Sequence, residues 1–366
     1  SVCSSNTTEG SNPSLSAIPI MKKIFNIIII NLSILFLGII IIEIFFGNWL
    51  KEDNYGSLLI PKKQTNLISS FPYSTSELGI YSRDKYGFRA NTHNLTDIDI
   101  LIIGGSTTEE REVDDKKIWT KVFENNLNNR YKVLNAGIGG QTSFGHKSMF
   151  NLWFKRHSQL SPKYILLYVG INDALFFIEN INTNKFKPKG RELNSSNRDL
   201  LIYLKFSDRF IQYIKNNSII HYLYLIIKGN IITKKYNFGY NLTTDIFKRN
   251  IPTRPVNLVA NKLYQDEFKN YYHQNLSQIL KQSKEINAQL ILITQTISDK
   301  HWMYDKLKLI NQYTINFCYM RKLNCIDLAN KIKIENNFFY DGIHTDPIGS
   351  KKVGIFIAEE FLNIID

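Results

Sequence analysis

Hydrophobic positions fall into three regimes along the chain. From Ile27 to Phe46 they are continuous, and only Asn31, Ser33 and Glu43 carry polar side chains in that run. About 20 apolar residues suffice for a helix to cross a hydrocarbon core, and a core helix would show a polar stripe that this run lacks. From 51 to 95 the chain is polar with little periodicity, which predicts a stalk or lead-in ending in Asp84-Lys85-Tyr86-Gly87-Phe88-Arg89. From 96 onward, short apolar runs bounded by turn residues alternate with segments of helical period. That alternation predicts an α/β domain, a parallel sheet covered by helices.

The strand candidates are Ile98 to Ile103, Lys132 to Asn135, Tyr164 to Val169, Leu290 to Thr294 and a weaker one at Asn324 to Leu328. Helical period appears over about Lys117 to Leu127, Ser143 to His157, Gln265 to Ile286 and Tyr304 to Met320. A last helix is expected from Pro347, a residue suited to a first helical turn. The stretch from about 176 to 260 interrupts the alternation. It reads as a partly helical insertion near the carboxyl ends of the strands, where such folds place ligands.

Charge sharpens this division. The chain of 366 residues carries 45 Lys and Arg against 32 Asp and Glu, a formal charge of +13. Residues 181 to 260 alone hold 14 basic and 4 acidic residues, among Tyr, Phe and Ile. Such a basic, aromatic stretch suits either nucleic acid or a membrane surface. The apolar run decides against nucleic acid. Lys22 and Lys23 precede it, Trp49 follows it at a position suited to an interface, and Glu43 lies one turn from its end. No small-residue cleavage pattern follows closely, so residues 21 to 50 read as an uncleaved single-pass anchor with a cytoplasmic N-terminus. The α/β domain, residues 96 to 366, is then expected outside the cytoplasm. Residues 1 to 20, Ser/Thr/Asn-rich, read as a disordered or non-native leader. Three cysteines, Cys3, Cys318 and Cys325, are too few for a disulfide framework or a four-cysteine zinc site.

Four short segments carry candidate chemistry. Gly104-Gly105-Ser106-Thr107-Thr108 follows the first strand, where a tight turn lifts Ser106 above the sheet as a nucleophile or forms an ordinary helix cap. Asn135-Ala136-Gly137-Ile138-Gly139-Gly140 follows the second and offers glycine N–H groups as oxyanion donors, or is a plain loop. Gly170-Ile171-Asn172-Asp173 follows the third, and Asn172 is either a turn former or a side-chain amide donor. Asp341-Gly342-Ile343-His344 precedes the last helix, with an Asp placed to orient a general base. A metal reading of Asp341, His344 and Asp346 ranks well behind, because no other His or Cys sits at ligand spacing nearby.

In their order, Ser, Gly, Asn and Asp-x-x-His, these blocks resemble the SGNH (GDSL-type) hydrolase family, over about residues 84 to 366. The resemblance implies a three-layer α/β/α sandwich with a mainly parallel five-stranded sheet, related to the flavodoxin-like arrangement. It makes Ser106 the nucleophile, His344 the base and Asp341 its partner. It also makes the Ser106 N–H, Gly140 and Asn172 the oxyanion hole, with Gly140 preferred to Gly137 as the last glycine of its block. It implies no cofactor and no metal. The first block departs from the family's usual Gly-Asp-Ser, with Gly105 at the Asp position.

The implied function is a membrane-anchored serine esterase acting on acyl, chiefly acetyl, esters of cell-envelope or secreted carbohydrate. The same residues would serve an O-acyltransferase or a lipid or lysophospholipid esterase. A catalytically silent scaffold of an envelope assembly, with partners there, is the non-enzymatic alternative.

Overall fold

The computed structural model describes residues 14–47, 49, 64–69, 78–128, 130–181 and 262–366, with scattered positions between 211 and 227. The remainder of the basic insertion and residues 1–13 lie outside the described residues. The chain divides into two compact units. One joins residues 1–54 to 210–231, and the other takes 55–209 and 232–366.

The first unit contains helix α1, Ser14–Phe46. Its portion Lys22–Phe46 has a mean hydropathy of 2.8 and is the one helix among the described residues long and apolar enough to cross a membrane, as a span or a signal sequence. The helix starts inside the segment read as a leader, so no structural break falls at residue 20.

The second unit is built on a five-stranded parallel sheet. Its strands are β3 (Ile100–Gly104), β4 (Val133–Asn135), β5 (Tyr164–Tyr168), β6 (Gln289–Ile293) and β7 (Cys325–Ile326), in the order β4-β3-β5-β6-β7. All five fall on the predicted runs. Alternation along each strand explains why the runs are uniformly apolar. Leu101 and Ile103 of β3, with Ile165 and Leu167 of β5, face one core, while Ile100, Ile102 and Leu166 face the other.

Helices cover both faces. The first core takes Met149 and Phe150 of Ser143–Leu152, Phe177 of Ile171–Ile181, Phe268 and Tyr272 of Lys262–Glu285, and Ile310 and Phe317 of Tyr304–Arg321. The second takes Trp119 and Phe123 of Trp119–Asn126 with Val353, Ile357 and Phe361 of Pro347–Ile365. A parallel sheet needs both faces buried, and this one has them.

From β3 the chain first adds β4 on one side and then β5 on the other. Loops leaving β3 and β5 therefore diverge at their carboxyl ends, and a crevice opens there. Ser106 and Asn172 lie in the first turns of the helices that follow those two strands.

The lead-in is not a stalk throughout. Strands β1 (Gln64–Ser69) and β2 (Leu78–Arg83) pair antiparallel within the stretch read as a stalk. Tyr81, Arg83, Phe88 and Arg89 are all buried in the second unit. Two arginines on the inward side made the segment read as solvent-exposed, because hydrophobic counting misses a side chain buried through an ion pair.

Cys318 and Cys325 form a disulfide joining the helix Tyr304–Arg321 to β7, with Cα atoms 6.2 Å apart. Replacing both by Ala is expected to cost about 2–3 kcal/mol through the freed chain of the unfolded state. A lowered thermal midpoint of the detergent-solubilised chain checks this, and an unchanged midpoint would show the bond to be dispensable.

Candidate active site

The turn after β3 presents Ser106 by a one-turn helix, Ser106–Glu109, that closes at Glu110 in the left-handed region (φ 44°). Gly105 precedes it because space is absent. A Cβ there would lie 2.6 Å from Asn172 Nδ2, so the Asn172 amide rests directly against the backbone before the serine. The departure from Gly-Asp-Ser thus has a steric counterpart in this chain.

His344 reaches Ser106 from the loop before the last helix. Its Nε2 lies 2.8 Å from Ser106 Oγ, and its Nδ1 lies 2.6 Å from Asp341 Oδ2. Asp341 Oδ1 accepts from the Ile343 and His344 backbone N–H groups at 2.9 and 2.8 Å, which fixes the carboxylate relative to the ring it faces. The Tyr340 ring stacks on His344 with centroids 5.7 Å apart, and its hydroxyl donates to Glu112 Oε2 at 2.8 Å. Asp346, the third member of the metal reading, instead caps the last helix by accepting from Ile348 and Gly349.

Charge follows this geometry. Burial by itself would lower the His344 pKa, but the hydrogen bond and charge of Asp341, with Glu112 and Glu110, raise it above the ordinary imidazole value. Burial opposes ionisation of Asp341, yet the His344 contact and the two backbone donors hold its pKa below the usual carboxylate value. The side chains of His344 and Asp341 remain 21% and 38% exposed, so water reaches this row.

Three N–H donors are the candidates for an oxyanion hole, and the glycine loop shows why its members differ. The Gly137 N–H is spent on Asn135 Oδ1 at 2.8 Å, and the Gly139 N–H on Glu109 Oε2 at 2.6 Å. Among the described residues the N–H groups of Gly140 and Ser106 meet no acceptor. Gly140 holds φ 81°, a conformation that favours glycine. Asn172 Nδ2 gives one hydrogen to Gln141 O at 2.9 Å, and its second meets no acceptor among the described residues.

Sequence reading left out the charged groups beneath these loops. Glu109 pairs with Arg83 at 2.9 Å, accepts from Tyr81 at 2.9 Å, and holds Gly139 as described. Arg83 in turn donates to the carbonyls of Gly87 and Gly137 at 2.7 and 2.8 Å. Glu110 is fully enclosed. It accepts from Trp119 N at 2.6 Å, from Thr345 Oγ1 at 3.1 Å and from Ser350 Oγ, so it ties the Ser106 turn to the loop that carries His344. The Glu109-Glu110 pair directly after the serine turn was the available signal, since paired carboxylates seldom lie beside a core without partners.

No known protein family's sequence profile matches the chain, and no curated protein matches it. Solved structures with a similar arrangement include a carbohydrate acetylesterase from Sinorhizobium meliloti (11% identity, TM-score 0.40, 73% of this chain and 100% of that one). A G-D-S-L family lipolytic protein from Desulfitobacterium hafniense gives 10% identity and a TM-score of 0.39 over 72% and 98% of the two chains. A psychrotrophic esterase from a Pseudoalteromonas species gives 12% and 0.42 over 74% and 99%. Likeness this distant carries no argument about activity, which must come from the site itself.

Burial pushes the Glu110 carboxyl up to about 7 from an ordinary 4.5. Its folded state favours the neutral form, so its contribution to stability is complete below the unfolded pKa and fades as pH rises from there through 7. Glu110→Gln keeps a neutral group at every pH. Its stability relative to wild type is expected to grow between pH 5 and pH 8 by on the order of 3 kcal/mol. Denaturant midpoints across that range check this, and a pH-independent difference would contradict it.

Proposed function

We propose that the chain is a membrane-anchored serine esterase of the SGNH type that cleaves acyl esters, chiefly acetyl, on cell-envelope or secreted carbohydrate. The observation that carries this reading is the uninterrupted row Asp341–His344–Ser106, with contacts of 2.6 and 2.8 Å. A serine hydroxyl is a weak nucleophile until a base within hydrogen-bond reach accepts its proton, and that base is oriented by a third group.

Ser106 Oγ attacks the ester carbonyl as His344 Nε2 takes the proton, and the imidazolium is stabilised by Asp341 through Nδ1. The developing oxyanion meets the N–H groups of Ser106 and Gly140 and the free hydrogen of Asn172. Losing one such donor typically costs about 3–4 kcal/mol in the barrier. His344 then passes its proton to the leaving alkoxide, leaving an acyl group on Ser106. Water, deprotonated by the same histidine, releases the acid. The exposure of His344 and Asp341 favours water over a sugar hydroxyl as the acceptor; transfer to a glycan would instead call for a site that excludes water.

The carbohydrate class of substrate rests on the resemblance of the four blocks. The cavity of about 610 Å³ lined by Tyr304, Lys308, Asn330 and Glu335 together with Ile297, Leu307, Ile332 and Ile334 takes no lining from Ser106, Asp341 or His344 and carries no argument about substrate. For the compartment, the Cys318–Cys325 disulfide supports an oxidising one, and Lys22–Phe46 supports attachment to the membrane that bounds it.

A fluorophosphonate probe is expected to label the full chain in membranes, and Ser106→Ala to abolish labelling; persistent labelling would sink the assignment of Ser106. With an acetylated glycan, free acetate is the expected product, whereas acetyl moved onto a second added glycan would make the enzyme a transferase.

The acid limb of kcat/KM is expected above the ordinary imidazole value, since His344 must be neutral to act and its pKa is raised. Asp341→Asn removes the main charge holding it up. That variant is expected to shift the limb to lower pH and to lower kcat by a factor of about 10⁴, the scale seen when such a carboxylate is neutralised. A limb that stays in place would separate Asp341 from the base.

A further inference from the structure

Glu43 is the one acidic residue in the apolar run, and its surroundings within the first unit show what it does. Its Oε1 accepts from Ser218 Oγ at 2.6 Å and from Ile220 N at 3.1 Å, and its Oε2 accepts from Ile219 N at 3.2 Å. Trp49 Nε1 donates to Oε2 at 2.8 Å. Ser218 Oγ also accepts from His221 N at 3.0 Å. A helix leaves its first N–H groups without intrahelical partners, and a side-chain oxygen at the start normally satisfies one. Here three consecutive amides, Ile219, Ile220 and His221, are satisfied together: two by a carboxylate from another helix and one by Ser218. A negative charge there also meets the positive end of the peptide dipoles.

The residues that follow read Ile219-Ile220-His221-Tyr222-Leu223-Tyr224-Leu225-Ile226-Ile227-Lys228. Of those whose side chains are described, Ile220, Leu223, Tyr224 and Ile227 are 41%, 47%, 53% and 58% exposed. Ile211 and Ile214, just upstream, are exposed as well. This apolar surface adjoins that of the anchor, where Ile42, Ile44, Phe45 and Phe46 are also exposed. The segment is far too short to span about 30 Å of hydrocarbon. Lys22–Phe46 rises about 37 Å at 1.5 Å per residue, which leaves Glu43 within about 5 Å of the helix end. Trp49, bonded to Glu43, and Tyr224 are residue types of a membrane–water boundary.

We infer that the described helical positions Ile219, Ile220, His221, Leu223, Tyr224 and Ile227 belong to a second membrane element, seated in the outer boundary of the bilayer on the catalytic side, with its N-terminus capped by Glu43 of the anchor. The occupant of its exposed face is lipid acyl chain. The acidic residue is therefore a fitted partner in the span, and the backbone groups it caps would be costly to leave unpaired in a low-dielectric layer. By chain connectivity, the element lies between Ile171–Ile181 and Lys262–Glu285, both in the catalytic unit. The chain is thus tied to the bilayer at two places along its sequence, the anchor and this element. The inference rests on reading Lys22–Phe46 as a span, and the test separates the two.

The experiment is spin-label accessibility on the full chain in phospholipid vesicles, in a Cys3→Ser background. Nitroxides are placed at Leu223→Cys, at Ile34→Cys in the anchor and at Lys284→Cys as an aqueous control. Oxygen, which partitions into lipid, and a nickel chelate, which stays in water, are the relaxing agents. Position 223 is expected to match position 34 in favouring oxygen and to differ several-fold from position 284. If 34 reads as lipid and 223 as water, or as shielded from both agents, the second element is overturned while the anchor stands. If 34 itself reads as aqueous, the anchor reading fails first. Glu43→Ala makes the span more apolar, so insertion is retained. It is expected to raise the mobility of the label at 223 and shift it toward the nickel agent, whereas an unchanged spectrum would remove Glu43 as the tie.

Discussion

The buried pair Arg83–Glu109 is the contact on which the geometry of the site depends. Arg83 comes from the lead-in strand, Glu109 from the turn that carries Ser106, and between them they hold Gly87, Gly137 and Gly139 by backbone hydrogen bonds. Burial works against the charge of Glu109, and the charge and hydrogen bonds of Arg83 outweigh it, so its pKa stays below the ordinary value. Breaking such a pair by removing one member costs about 3–5 kcal/mol, because the other charge is stranded away from water. Here the cost would fall on three loops at once. A Cβ at Gly139 would lie 3.6 Å from Ser106 Cβ, so the pair sets how closely the glycine loop approaches Ser106.

A second layer of order comes from spending donors. Each N–H in the glycine loop that is already bonded is removed from the chemistry, and those of Gly137 and Gly139 are. The Asn135 amide and the Glu109 carboxylate on which those bonds rest are both buried. Selectivity among three neighbouring glycines is therefore decided by their partners, since all three have the same side chain. Glu110 acts similarly on the other half of the site. One carboxyl group gathers Trp119, Thr345 and Ser350, so the loop before His344 and the turn after Ser106 share a hub.

The five strands and the helices flanking them were legible because their signal is local. Ile100 to Ile103 is apolar on both faces, as a strand between two helix layers must be, and helical runs such as Phe268, Tyr272, Leu276 and Ile279 keep their period. The four blocks were legible as residue types in order. The lead-in strands were not, since Arg83 and Arg89 look like solvent residues until Glu109 and Asp115 are brought to them across the fold. Most of the basic insertion, 176 to 260, falls outside the described residues and keeps its standing as an expectation.

Taken alone, the amino-acid order determines a long apolar helix, an alternating α/β pattern and a serine, glycine, asparagine and histidine at strand ends. These follow from side-chain hydrophobicity and backbone preference over a few neighbouring residues. Only tertiary structure decides that His344 stands 2.8 Å from Ser106, that among the described residues the Gly139 N–H finds an acceptor and the Gly140 N–H does not, and that Glu43 bonds Ser218, 175 residues away in sequence. Each of those is a pairing between distant segments. Its energy depends on burial and on which donor finds which acceptor, and neither quantity is defined until the chain has closed on itself.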